Sequence, residues 1–161
     1  MFVQRSAVKR LVQQESGFTL IEILVVIGII AILAAIVIIA INPARQFRQA
    51  RDAQRISNVN AILNAVGQYL ADNKGTFPPA LTLSMAQKDI SNGGANLCGD
   101  LVPKYLPSLP VDPSVGGGAI QSPCPGTYDT KYHVKVDADG RVTVSANQEE
   151  PALVDGISVT R

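Results

Sequence analysis

Nineteen consecutive residues, from Ile23 to Ile41, carry no charged or strongly polar side chain. As a helix, this run is about 29 Å long, and a bilayer core is about 30 Å thick. It is long enough to span, and longer than the roughly 7–15 apolar residues of a cleaved secretory signal. A cleaved signal would also need two small residues two positions apart near the end of the run. Gly28, Ala31, Ala34, Ala35, Ala40 and Ala44 include no such pair. The segment is therefore predicted to be a membrane helix that stays with the chain.

The rest of the 161 residues is long enough for one modest domain. Lys+Arg total 14 and Asp+Glu 13, so net charge predicts no polyanion partner. Four segments follow: a basic leader at residues 1–17, the membrane half of a long helix at 18–42, its amphipathic half at 43–74, and a globular domain at 75–161. In the third segment Phe47, Ala50, Ile56, Val59, Ile62, Leu63, Val66, Tyr69 and Leu70 follow the helical period. Arg45, Arg48, Arg51 and Arg55 form a second stripe at the same period. Asp72, Asn73 and Gly75 provide a stop. Segments two and three together predict one helix of about 50 residues, roughly 80 Å long. Pro43 predicts a kink or melted stretch over residues 39–43.

The tail carries strand signals. Tyr132, Val134 and Val136 alternate with polar residues, Asp137 to Gly140 reads as a turn, and Val142, Val144 and Ala146 alternate again. This predicts an antiparallel hairpin, with Ile157 and Val159 as a short further strand. Residues 75–128 read mainly as loop, with a short helix around residues 84–90.

The string Ser16-Gly17-Phe18-Thr19-Leu20-Ile21-Glu22 runs straight into the apolar segment. It closely resembles the prepilin processing site of type IV pilins and type II secretion pseudopilins. The resemblance covers the leader and roughly the next 60 residues. The stretch from Tyr105 to Pro113 and the closing hairpin resemble pseudopilins and minor pilins more loosely. The family implies an α+β fold, with a long N-terminal helix whose second half packs on a small antiparallel sheet. It implies a membrane peptidase that cuts between Gly17 and Phe18 and N-methylates Phe18. It also implies homopolymerisation with other pilin subunits, driven by an inner-membrane platform and ATPase. Many members carry a proline about one helical turn before the position of Pro43; here Ile38, Ile39 and Ala40 fill that zone.

Elementary electrostatics points to the same residues. A carboxylate at the centre of a membrane helix costs roughly 2.5–3.5 kcal/mol. Glu22 lies at the edge of the run, so a headgroup-level position is the plain alternative. Cleavage after Gly17 would place an α-amino group on Phe18, four residues from Glu22 and on the same helix face. In an apolar filament core an ammonium and a carboxylate must pair, since either alone is expensive. The family implies that Glu22 pairs with the Phe18 amine of a neighbouring subunit, which sets the register of assembly. Arg5, Lys9 and Arg10 favour a cytoplasmic N-terminus, while the four arginines beyond the run oppose it on a simple count. The family places the leader inside and the tail outside.

In that extracytoplasmic setting Cys98 and Cys124 are expected to form a structural disulfide, with buried free thiols as the alternative. Asp137, Asp139 and Gly140 resemble the start of a calcium loop, but Glu149 and Glu150 are not placed to complete it. Some pseudopilins bind calcium in this region; a plain hairpin turn is the favoured use, and no cofactor is expected. The arginine stripe could meet nucleic acid or acidic headgroups, but with only Phe47 interleaved it reads first as a solvated or intersubunit face. His133 is the single histidine, and no phosphate loop, metal cluster or nucleophile elbow appears, so the chain is not expected to be an enzyme. The expected function is that of a structural filament subunit, first a single-pass inner-membrane protein and later extracellular or periplasmic. The alternatives are a pseudopilin of a secretion or DNA-uptake system and a membrane-anchored extracytoplasmic binding module.

Overall fold

A computed structural model describes residues 17–116, 118–149 and 156–161. The leader residues Arg5, Lys9, Arg10 and Ser16, and also Glu150, lie outside the described residues. The chain divides into two units between Asn42 and Pro43.

In the first unit, helix α1 runs over Leu20–Ile41. Thr19 is its N-cap, with extended backbone. At the other end Asn42 adopts the left-handed conformation, with φ 46°. Two effects explain this position. The ring of Pro43 disfavours an α conformation in the residue before it, and asparagine tolerates left-handed backbone better than most residues do. The expected single helix is therefore two helices, with the break at Asn42.

The second unit opens with helix α2, Pro43–Asp72. Proline suits the first helical position, where its missing N–H is no loss. The helix ends where predicted: the Asn73 N–H donates to the Tyr69 carbonyl at 2.9 Å and the Gly75 N–H to the Leu70 carbonyl at 2.8 Å. Lys74 and Gly75 both take positive φ there, so glycine fits the closing turn. Strand β1 follows at Met85–Ser91, a one-turn helix α3 at Cys98–Leu101, then β2 at Asp129–Val136, β3 at Val142–Ala146 and β4 at Ile157–Thr160. The four strands form one antiparallel sheet in the order β1-β2-β3-β4. With α1 and α2 this is the α+β, pilin-like layout expected from the sequence.

The predicted hairpin has Val136 opposite Val142, Val134 opposite Val144 and Tyr132 opposite Ala146. All six side chains are buried. Val59, Ile62, Leu63, Ala65 and Val66 of α2 pack with them, at the spacing of one helix face. Asn58 Nδ2 donates to the Tyr132 hydroxyl at 2.9 Å, which satisfies the polar end of a buried ring.

Two expectations need correction. The segment read as a short helix around residues 84–90 is strand β1. Its Met-Ala-Gln-Lys stretch has helical propensity, but pairing with β2 wins: Asp89 lies opposite His133 and Ile90 is fully buried, its carbonyl accepting from Thr130 Oγ1 at 2.8 Å. The apolar face assigned to α2 is also shorter than expected. Phe47 is 66% exposed and Ile56 43%, and apolar burial on α2 begins only at Val59.

Cys98 and Cys124 are bonded, with their Cα atoms 6.0 Å apart. The bond ties α3, whose Leu101 is fully buried, to the segment before β2. On the chain-entropy model a loop of this length contributes about 3 kcal/mol. Replacing both cysteines by serine should lower the unfolding free energy by about that amount, read from denaturant curves of the oxidised protein and the variant.

Candidate processing, membrane and assembly site

The first turn of α1 is organised by a reciprocal pair. Thr19 Oγ1 accepts from the Glu22 N–H at 3.3 Å, and Glu22 Oε2 accepts from the Thr19 N–H at 3.4 Å. This capping box satisfies donors that every helix start leaves open. It also fixes the Glu22 carboxylate beside the backbone that follows Phe18. An added Cβ at Gly17 would meet nothing within 4 Å. The fold of the described residues therefore does not require glycine at that position.

Beyond Glu22, α1 has no buried residue. Phe18 is 80% exposed, and every large apolar side chain from Leu20 to Ile41 is open. Among the described residues α1 is the one helix long and apolar enough to cross a membrane. Residues 13–40 match the family model described as the prokaryotic N-terminal methylation motif. The chain carries a prepilin-type methylation motif. The comparisons with curated proteins and with solved structures returned no match. The motif spans Gly17, Phe18 and Glu22 and nearly all of α1. It is the motif of type IV pilins and pseudopilins, which are structural proteins.

Sequence reasoning missed a second constellation, on α2. Arg55, only 2% exposed, holds Asp112 in a two-pronged contact: Nε to Oδ2 at 2.6 Å and Nη2 to Oδ1 at 2.8 Å. Its Nη1 reaches Asp52 Oδ1 at 2.8 Å and its Nη2 reaches Glu149 Oε1 at 2.7 Å. Arg51 also pairs with Glu149, and the Glu149 N–H donates to Asp52 Oδ1 at 3.1 Å. Asp112 in turn accepts from the Ser114 N–H at 2.9 Å. Two of the four arginines in the supposed solvated stripe are thus spent inside the domain. The available hint was Asp52, which stands three residues before Arg55 on the same helix face.

The cluster sets the protonation of its acids. Burial pushes the Asp112 carboxyl up, but hydrogen bonds from Arg55 and Ser114 outweigh that and hold it at about 2. Hydrogen bonds from Arg51 and Arg55 bring Glu149 to about 2 as well. The Arg55 guanidinium is raised, chiefly by its hydrogen bond to Asp112.

The remaining candidates are dispersed. Asp137 closes the hairpin: its Oδ1 accepts from the Arg141 N–H at 2.7 Å, and Gly140 takes positive φ. His133 Nδ1 lies 2.8 Å from Asp89 Oδ1 across β1 and β2. Among the described residues no group of three or more His, Cys, Asp or Glu side chains is placed to hold a metal.

Both acids titrate lower in the folded chain than in the unfolded chain, where ordinary values are near 4. Their stabilisation is complete above about pH 4 and is lost as pH falls towards 2. Far-UV circular dichroism against pH should show acid unfolding in that window. Arg55→Met leaves a buried carboxylate without its partner and should cost about 3–5 kcal/mol at pH 7. Part of that loss should return near pH 4, because protonation then neutralises the unpaired Asp112, whereas the parent gains nothing there.

Proposed function

We propose that this chain is a filament subunit made as a prepilin, cut after Gly17, N-methylated on Phe18 and polymerised through α1. The observation that carries this reading is the pairing of Gly17-Phe18 and Glu22 with a helix of 22 residues that buries none of them. A simple membrane anchor has no need of a glycine in open space. The capping box needs only an acceptor at position 22, which an uncharged glutamine would supply, so it does not call for a full carboxylate charge there. Both have a use if a peptidase approaches the backbone at Gly17 and a neighbouring ammonium meets Glu22.

In this mechanism the subunit waits in the inner membrane with α1 in lipid. An ATP-driven platform moves it into a bundle of like helices, outside the cell or in the periplasm. The apolar surface exchanges lipid for protein, so little hydrophobic energy separates the two states. Specific docking then falls to the charged pair: an incoming subunit seats where its Phe18 amine neutralises a neighbour's Glu22. Contacts of this head-to-tail kind generate an open helical filament. A pseudopilin of a secretion or DNA-uptake system is the second reading, favoured by the stretch from Tyr105 to Pro113. Both readings share the same chemistry at residues 17–22.

Intact mass and N-terminal sequencing of protein from cells with their own processing enzymes should find a chain starting at methylated Phe18. A chain retaining residue 1, or cut beyond Ile41, would sink the proposal. Glu22→Ala should still be processed yet form no filaments by electron microscopy, whereas a membrane-anchored binding module would be indifferent to it.

A further inference from the structure

We infer that Arg45, Phe47 and Arg48 form a membrane-interface anchor that binds anionic lipid headgroups while the subunit is still in the bilayer. The inference rests on α1 spanning that bilayer. Along the arginine stripe Arg45 is exposed, Arg48 and Arg51 are half-buried and Arg55 is buried. Arg51 and Arg55 meet Glu149, Asp112 and Asp52, and Arg45 and Arg48 stand in the first turns of α2, nearest along the chain to the end of α1. Phe47 stands between them, 66% exposed. Among the aromatic residues of the second unit it is the exposed one; Tyr69, Phe77 and Tyr105 are half-buried, and Tyr128 and Tyr132 are buried. An open phenylalanine at this position has no partner in the core cluster of its own domain.

Covalent reach decides what lies near it. Arg45 is four residues beyond Ile41, the last residue of α1. Even fully extended, four residues cover at most about 14 Å. Along α2, at about 1.5 Å per residue, Arg48 lies only about 9 Å beyond Asn42, whatever angle that helix takes. The headgroup layer on each side of a bilayer core is about 5–7 Å deep. If α1 spans, Arg45 and Phe47 therefore start at the level of the headgroup layer, and the Arg48 backbone starts just beyond it, within reach of its long side chain. Long arginine side chains can place their heads among phosphates, and aromatic rings favour this level. The chemistry matches on both counts: cations for phosphate oxygens, a ring for the acyl boundary. The same anchor answers the charge puzzle of the sequence, since arginines beyond the apolar run are held by lipid and by acids of the domain.

The parent chain has no tryptophan, so Phe47→Trp in the full chain introduces a single indole whose emission can be followed alone. The variant is reconstituted in vesicles of phosphatidylcholine alone or mixed with phosphatidylglycerol. The introduced indole should be shielded from aqueous iodide and quenched by headgroup-level spin-labelled lipid, more so in the mixed vesicles. In that background Arg45→Gln and Arg48→Gln should each lower the ratio of shielded to open indole about fivefold, the equivalent of about 1 kcal/mol per basic side chain at an anionic surface. Added salt should act in the same direction. If the chain resists alkaline extraction but the indole is equally open to iodide in both vesicles, the anchor is overturned and the spanning helix stands. If the chain is extracted by alkali, the spanning reading fails and takes the anchor with it.

Discussion

The structure depends first on a helix that cannot be left in water. Every large apolar side chain from Leu20 to Ile41 is open to solvent within the chain itself. Removing one such side chain from water is worth about 1.5–3 kcal/mol, so the sixteen on this helix amount to tens of kcal/mol. A whole domain is stable by only about 5–15 kcal/mol. An exposure of that size exceeds what a domain's own stability could offset, so α1 calls for an apolar environment supplied from outside the chain. The capping box of Thr19 and Glu22 starts the helix, and the carboxylate it holds is the one charged group on α1.

The domain solves a different problem. In its first turns α2 presents an ionic inner face to its domain, and only from Val59 onward is that face apolar. Arg55 serves there as a fork, taking one carboxylate from its own helix, one from the loop before β2 and one from beyond β3. A guanidinium suits this role because its donors lie in one plane and meet a carboxylate two at a time. Desolvating these charges is costly, so the cluster contributes mainly by fixing which segments meet, more than by net stability. The disulfide between Cys98 and Cys124 then ties together the loop-rich stretch between β1 and β2.

Charge near the first turns of α2 is thus divided by location. Arg51 and Arg55 turn to acids of the domain, while residues 45–48 stay within covalent reach of the end of α1. One basic stripe serves two environments, because one helix passes from the membrane boundary into a folded domain.

The sequence by itself determined whatever depends on near neighbours. The apolar run of α1, the Gly17-Phe18-Glu22 string, the stop at Asp72–Gly75 and the register of the β2–β3 hairpin are all set within a few residues, by period, capping and turn chemistry. What only the tertiary structure decided lies between residues far apart. Strand β1 displaced the helix its composition favoured, because its partner β2 begins 38 residues after β1 ends and no local pattern announces it. Asp112 and Glu149 meet Arg55 across 57 and 94 residues. The break at Asn42 falls between these cases: Pro43 announced an interruption, but the left-handed turn before it emerged only once proline took the first position of a new helix. Local physics is written in spacing, whereas a buried ion pair exists only after the chain has closed around it and excluded water.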